Sequence, residues 1–133
     1  FRKFLPPTVD EMKQSNTAIN IPLMRYANVM LMKAEALNEL GESDDAISLI
    51  NEIREVHGDM PAMVGTSQEA ARAQIEHERM IEFPLENYRW YDLRRWGKLA
   101  TAMQAAGRTN FKESEHSFYP TPLTELNAND QLK

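Results

Sequence analysis

Three glutamates, Glu78, Glu82 and Glu86, recur every four residues, and Arg89, Asp92, Arg94 and Arg95 follow closely behind them. Carboxylates so arranged can do acid–base chemistry, since a pair flanking a cleft at a defined separation is what glycoside hydrolysis requires. On one helical face the same charges repel by about 0.2–0.5 kcal/mol per pair unless cations oppose them. Arginine is the cation best suited to oppose them, because its planar fork meets a carboxylate through two parallel bonds. Arg89 has Glu86 three residues before it and Asp92 three after, and Asp92 has Arg95 three after. This spacing favours a structural ion network of Glu78, Glu82, Glu86, Arg89, Asp92 and Arg95, folded around Pro84, over a catalytic pair. No residue is assigned a catalytic role.

Trp90 and Tyr91, with Tyr88 and Trp96 nearby, offer flat faces of the kind that stack on pyranose rings. Helical phase limits them. Trp96 aligns with Leu93 and Ala100 and belongs to a core, while Trp90 and Tyr91 point to different faces, so at most one of the two is free for a ligand. They are the candidate ligand-binding residues. A metal site is not expected: His77 has Ala73, Gln74, Met80 and Ile81 at the helical offsets where a second ligand would sit. His57 and His116 fall at a helix end and in the tail. Eight methionines read as adaptable core filler. The absence of cysteine excludes disulfides, thiolate metal centres and a cysteine nucleophile. No cofactor is implied.

The elements that carry these residues are helical. The 133 residues suit one core, with 42% apolar and 26% charged residues, a globular composition. Fifteen basic against twenty acidic residues leave a net charge of −5, which argues against nucleic acid as a partner. No apolar run is long enough to span a bilayer. Pro6 and Pro7 make residues 1–20 an extended arm. From 22 to 40 the apolar residues Leu23, Tyr26, Ala27, Met30, Leu31, Ala34 and Leu37 share a helical face, and Val29, Met32, Ala36 and Leu40 widen it, predicting a helix sandwiched between neighbours. Gly41 turns the chain. Ser43 caps a second helix over 43–57, and Gly58 stops it. Thr66 and Glu69 make a capping box for a third helix over 66–83, ended by Pro84. A fourth is predicted over 87–106, with Gly97 inside it. No segment alternates with period two, so the class is all-α: a helical hairpin at 22–58, a second helical pair at 66–107 and an extended tail at 108–133, all in a single domain over 1–133.

The hairpin has tetratricopeptide spacing. Ala34 and Ala46 take the small positions where two helices touch, with Leu37 and Ile50 beside them. One such unit cannot bury both of its faces, so further chain is expected against it.

The stretch Arg25-Tyr26-Ala27-Asn28-Val29-Met30-Leu31-Met32-Lys33-Ala34-Glu35-Ala36-Leu37 resembles a segment of the SusD/RagB family of Bacteroidetes-type outer-membrane nutrient-binding lipoproteins. Glu78-Arg79, Glu82-Phe83 and the block from Glu86 through Trp90 to Trp96-Gly97 are similar to a second family motif. Phe118-Tyr119-Pro120 through Asn129 is similar to the family's ending. Pro84 and Asn87 depart from the commoner small residue and glycine, and Tyr88 from the commoner histidine. The resemblance implies the C-terminal part of a longer, non-catalytic glycan- or nutrient-binding protein, lipid-anchored at the cell surface through a segment upstream of Phe1. It also implies a TonB-dependent, SusC-like transporter as partner and an oligosaccharide or peptide as ligand, with this part as scaffold. The alternative is a soluble tetratricopeptide-like adaptor that binds a partner protein.

Overall fold

The computed structural model describes residues 4–6, 8–13, 16, 19–64 and 67–132. Among them the regular structure is helical throughout and no strand occurs. The chain is all-α. Its helices are α1 (Val9–Met12), α2 (Tyr26–Glu39), α3 (Ser43–Gly58), α4 (Gln68–Glu82), α5 (Tyr88–Arg95), α6 (Leu99–Ala105), α7 (Glu113–His116) and α8 (Leu123–Ala128), followed by a 3-10 turn at Asp130–Leu132. They fall into two compact units, Phe1–Glu86 and Asn87–Lys133. No helix among the described residues is long and apolar enough to cross a membrane.

In the first unit α2 packs against both α3 and α4. Ala34 and Ala46 are fully buried at the small positions, with Leu31 and Ile50 fully buried beside them. Small side chains let the two backbones approach, and the branched ones fill the space around the contact. Ile53, Ala71, Ile75 and Phe83 complete the core of this unit.

The turn between α2 and α3 closes as a Schellman motif. Gly41 takes φ +89°, its N–H donates to the Asn38 carbonyl, and the Glu42 N–H donates to the Leu37 carbonyl. Ser43 is the first residue of α3 rather than its cap, and its hydroxyl donates 2.8 Å to Asn38 Oδ1. Asn38 is fully buried, and its amide donates to the Gln68 carbonyl while Gln68 Nε2 donates back to the Asn38 carbonyl. One side chain thus ties the ends of three helices.

Several boundaries differ from the sequence-based expectation, each for a local reason. α2 begins at Tyr26 instead of Pro22, because Arg25 stays extended (φ −120°, ψ 157°) and sends its side chain to α4 and the turn after it. α3 runs through Gly58, and it is Asp59 that turns left-handed at φ 46°. Thr66 lies outside the described residues; Ser67 caps α4 by accepting from the Ala70 N–H. The predicted fourth helix is two, since Gly97 at φ +66° forms a second Schellman turn with Lys98 N–H donating to the Leu93 carbonyl. The arm read as extended holds the single turn α1, capped by Thr8. The tail likewise holds α7 and α8, α8 following Pro122 with Glu125 in its first turn. The outer face of α2 is open among the described residues rather than sandwiched, with Tyr26 75%, Val29 44% and Met32 43% exposed.

Candidate functional site

Arg25, Glu82, Glu86 and His57 of the first unit meet at the N-terminal end of α2. Arg25 Nε donates 3.1 and 3.0 Å to the two carboxylate oxygens of Glu86, and Nη2 donates 2.8 Å to Glu86 Oε1. Nη1 donates 2.7 Å to Glu82 Oε1 and Nη2 2.8 Å to the Glu82 carbonyl. The second carboxylate is also met by His57, whose Nδ1 lies 3.0 Å from Glu82 Oε1. Arg25 further stacks 5.1 Å from the Phe83 ring centroid, with Arg79 at 5.3 Å from the same centroid. The hydrogen bonds that Arg25 donates to Glu86, and then those to Glu82, raise its pKa above the ordinary value, working against desolvation. The Glu86 side chain is only 1% exposed, so this fork lies in a poorly screened environment.

The third glutamate has a different partner. Glu78 is 2% exposed and pairs with Arg54 Nη1 of α3, while Gln74 Nε2 donates 2.8 Å to the same carboxylate. Arg54 Nε also holds the loop after α3, donating 2.9 Å to the Pro61 carbonyl. Arg79, buried like Glu78, donates 2.9 Å to Asn28 Oδ1 of α2. The guanidinium bonds to Glu78, Glu82, Glu86 and Asn28 all join α3, α2 or the residue that caps α2 to α4 or to the turn behind it. The chemistry of the cluster is clamping.

Positive φ on two non-glycine residues frames Glu86: Leu85 and Asn87 both stand at φ 64°. Asparagine tolerates that region better than most side chains, so Asn87 can take it without a glycine.

In the second unit Asp92 is buried and accepts 3.0 Å bonds from Arg95, whose guanidinium lies 4.7 Å over the Trp96 ring. Trp90 is half-buried and meets Phe111 edge-on, with centroids 6.1 Å apart at 82°. Tyr91 is 63% exposed, and Arg89 is exposed as well. Arg94 lies 3.9 Å over Phe118, itself an exposed ring. Of the six residues predicted to form the network, the structure thus gives Glu82 and Glu86 a shared partner in Arg25, Glu78 a partner in Arg54, and Asp92 one in Arg95.

Sequence reasoning did not find Arg25, Arg54 and His57 as members of this network. Their separation from the glutamates, 57 to 61 residues for Arg25, leaves no periodic signal. Among the described residues no group of three or more histidines and carboxylates is placed to hold a metal ion.

A first-unit pocket of about 300 Å³ opens between the start of α2 and the end of α3. Arg25, Tyr26, Met30, Glu52, Ile53 and His57 are among the residues that line it.

Comparison with known proteins places this geometry in context. A sequence profile of the SusD family matches residues 1–133. SusD-like protein P38 of Formosa agariphila is 34% identical over 137 aligned residues, covering 97% of this chain and 25% of its own length. SusD-like protein P2 of the same organism is 36% identical, covering 82% of this chain and 24% of its own length. SusD-like protein P25 is 35% identical, with 93% and 25% covered. The chain therefore spans about a quarter of the length of the relatives it matches. No solved structure matches.

Proposed function

The chain belongs to the SusD family, and from that premise we propose that it is the scaffold part of a non-catalytic glycan- or nutrient-binding protein at the outer-membrane surface. In this reading the whole protein is lipid-anchored and works with a TonB-dependent, SusC-like transporter. It captures an oligosaccharide or peptide and passes it on. The observation that carries the reading is the family match over all 133 residues.

The clamp supports the scaffold role. Glu78, Glu82 and Glu86 each accept hydrogen bonds from a guanidinium that joins two segments of the first unit. A general acid needs a proton to give and a route to substrate, whereas each of these carboxylates is held by a guanidinium donor, Glu86 through both of its oxygens. Of the two ligand-contact candidates, Trp90 and Tyr91, Tyr91 is the more exposed.

Calorimetry against a panel of oligosaccharides, run on the intact protein and on these 133 residues, tests the proposal. Binding by the intact protein is expected, together with co-purification of a β-barrel transporter from detergent-solubilised membranes. The 133 residues alone are expected to bind no glycan more tightly than about 1 mM, roughly −4 kcal/mol. Micromolar glycan binding by the 133 residues overturns the scaffold assignment and moves Trp90 or Tyr91 into a binding site. Turnover of a glycan by the intact protein overturns the non-catalytic one.

A further inference from the structure

We infer that the pocket between the start of α2 and the end of α3 is a recognition site for a lysine or arginine side chain presented by a peptide segment. The inference stands independently of the transport role, because it rests on the chemistry of the lining alone. The pocket holds about 300 Å³, the small end of the range for ligand sites, which suits one side chain rather than an oligosaccharide.

Its floor is apolar. Ala27, Met30 and Ile53 are buried, and Val56 extends the wall outward at 71% exposed. Such a floor takes the methylene stem of a long basic side chain while the charged head stays near water. Two groups at the rim suit that head. Tyr26 lines the pocket at 75% exposed, and a tyrosine ring attracts a cation placed over its face. Glu52 is exposed and has no ion pair among the described residues, so its carboxylate is available to a cationic partner.

The surrounding charge has the same sign preference. Arg25 is the one guanidinium in the lining, and it is bound to both Glu82 and Glu86. His57 directs its Nδ1 to Glu82. Glu52 is the one carboxylate in the lining, while Glu82 and Glu86 hold the Arg25 guanidinium from behind it and offset its charge. An apolar side chain of equal length would meet the floor but gain nothing from Glu52 or Tyr26, and an acidic one would be repelled.

The test is a methyl-detected NMR titration of the 133-residue chain, following Met30 and Ile53. The probes are Nα-acetyl-lysine methylamide, its norleucine counterpart and its glutamate counterpart. The lysine probe is expected to give saturable shifts in the millimolar range, with smaller ones from norleucine and none from glutamate. Glu52→Gln should weaken the lysine probe about two- to fivefold, the scale of one exposed ion pair. Tyr26→Leu should weaken it as well while leaving the norleucine response in place. Absence of saturable shifts with the lysine probe overturns the assignment. So does a norleucine response as strong as the lysine one, or a Glu52→Gln chain that binds lysine as well as the parent.

Discussion

Replacing Arg25 with alanine is expected to be among the most damaging changes available on the surface-facing side of the first unit. The substitution removes three bonds to the Glu86 carboxylate, one to the Glu82 carboxylate and one to the Glu82 carbonyl. Breaking a buried ion pair costs about 3–5 kcal/mol because the remaining charge stays desolvated, whereas an exposed pair is worth under about 1 kcal/mol. Arg25 lies between these limits: its side chain is 24% exposed, but Glu86 is 1% and Glu82 15% exposed. The buried side of the pair sets the larger part of the cost, so about 2–4 kcal/mol is expected. At a urea m-value of about 2 kcal/mol/M this lowers the unfolding midpoint by about 1–2 M. Arg25→Lys keeps the charge but loses the fork, and should fall between parent and alanine variant. Glu86→Gln and the Arg25→Ala/Glu86→Gln double variant complete a cycle whose coupling should exceed about 1 kcal/mol. The assay is urea unfolding followed by circular dichroism. A midpoint within about 0.3 M of the parent for Arg25→Ala, with no coupling in the double, would refute the clamp.

Asp92 is 3% exposed beside Arg95, so Asp92→Ala should cost about 1–3 kcal/mol, while Arg89→Ala, on an exposed residue, should stay within about 0.5 kcal/mol by the same urea assay. Leu31→Ala removes a side chain of zero exposure and should cost about 2–5 kcal/mol, and Ala34→Leu, which overfills the contact of α2 with its neighbours, about 1–3 kcal/mol; an unchanged midpoint in either would mean that α2 is not packed as described. The Arg72 guanidinium donates 2.8 and 2.7 Å bonds to Glu39 and holds its carboxyl pKa below the usual range. A lowered folded pKa contributes stability that is present above the unfolded value and is lost as pH falls through the folded one. Carboxyl-detected NMR should therefore find Glu39 titrating below an ordinary glutamate and moving back up in Arg72→Ala or at high salt; an identical titration in both chains would sink the pairing.

How much of this was legible in the sequence depends on the range over which each signal acts. Gly41, with Ala34 and Ala46 at its sides, specifies the hairpin locally: a left-handed turn needs glycine, and two close backbones need small residues. Each of those determinants lies within a few residues of what it determines. Gly97 carried an equally local signal, a second left-handed turn, and reading a helix through it gave the periodicity of Leu93, Trp96 and Ala100 more weight than the turn. The clamp is the opposite case. Glu78, Glu82 and Glu86 announced by their spacing that cations must oppose them, and the nearby Arg89 and Arg95 were the natural choice on proximity. What decides the partner is which helices lie side by side, and α4 lies against α2 and α3. That brings Arg25 and Arg54 to the glutamates across 24 to 61 residues of chain. The resemblance to a known family placed Arg25 in a motif without saying what its side chain holds. The fold answers that, since Arg25 stays out of the helix so that its guanidinium can reach back to α4 and the turn behind it. A shorter helix is the local cost of a long-range fork, and a sequence pattern records only the first of the two.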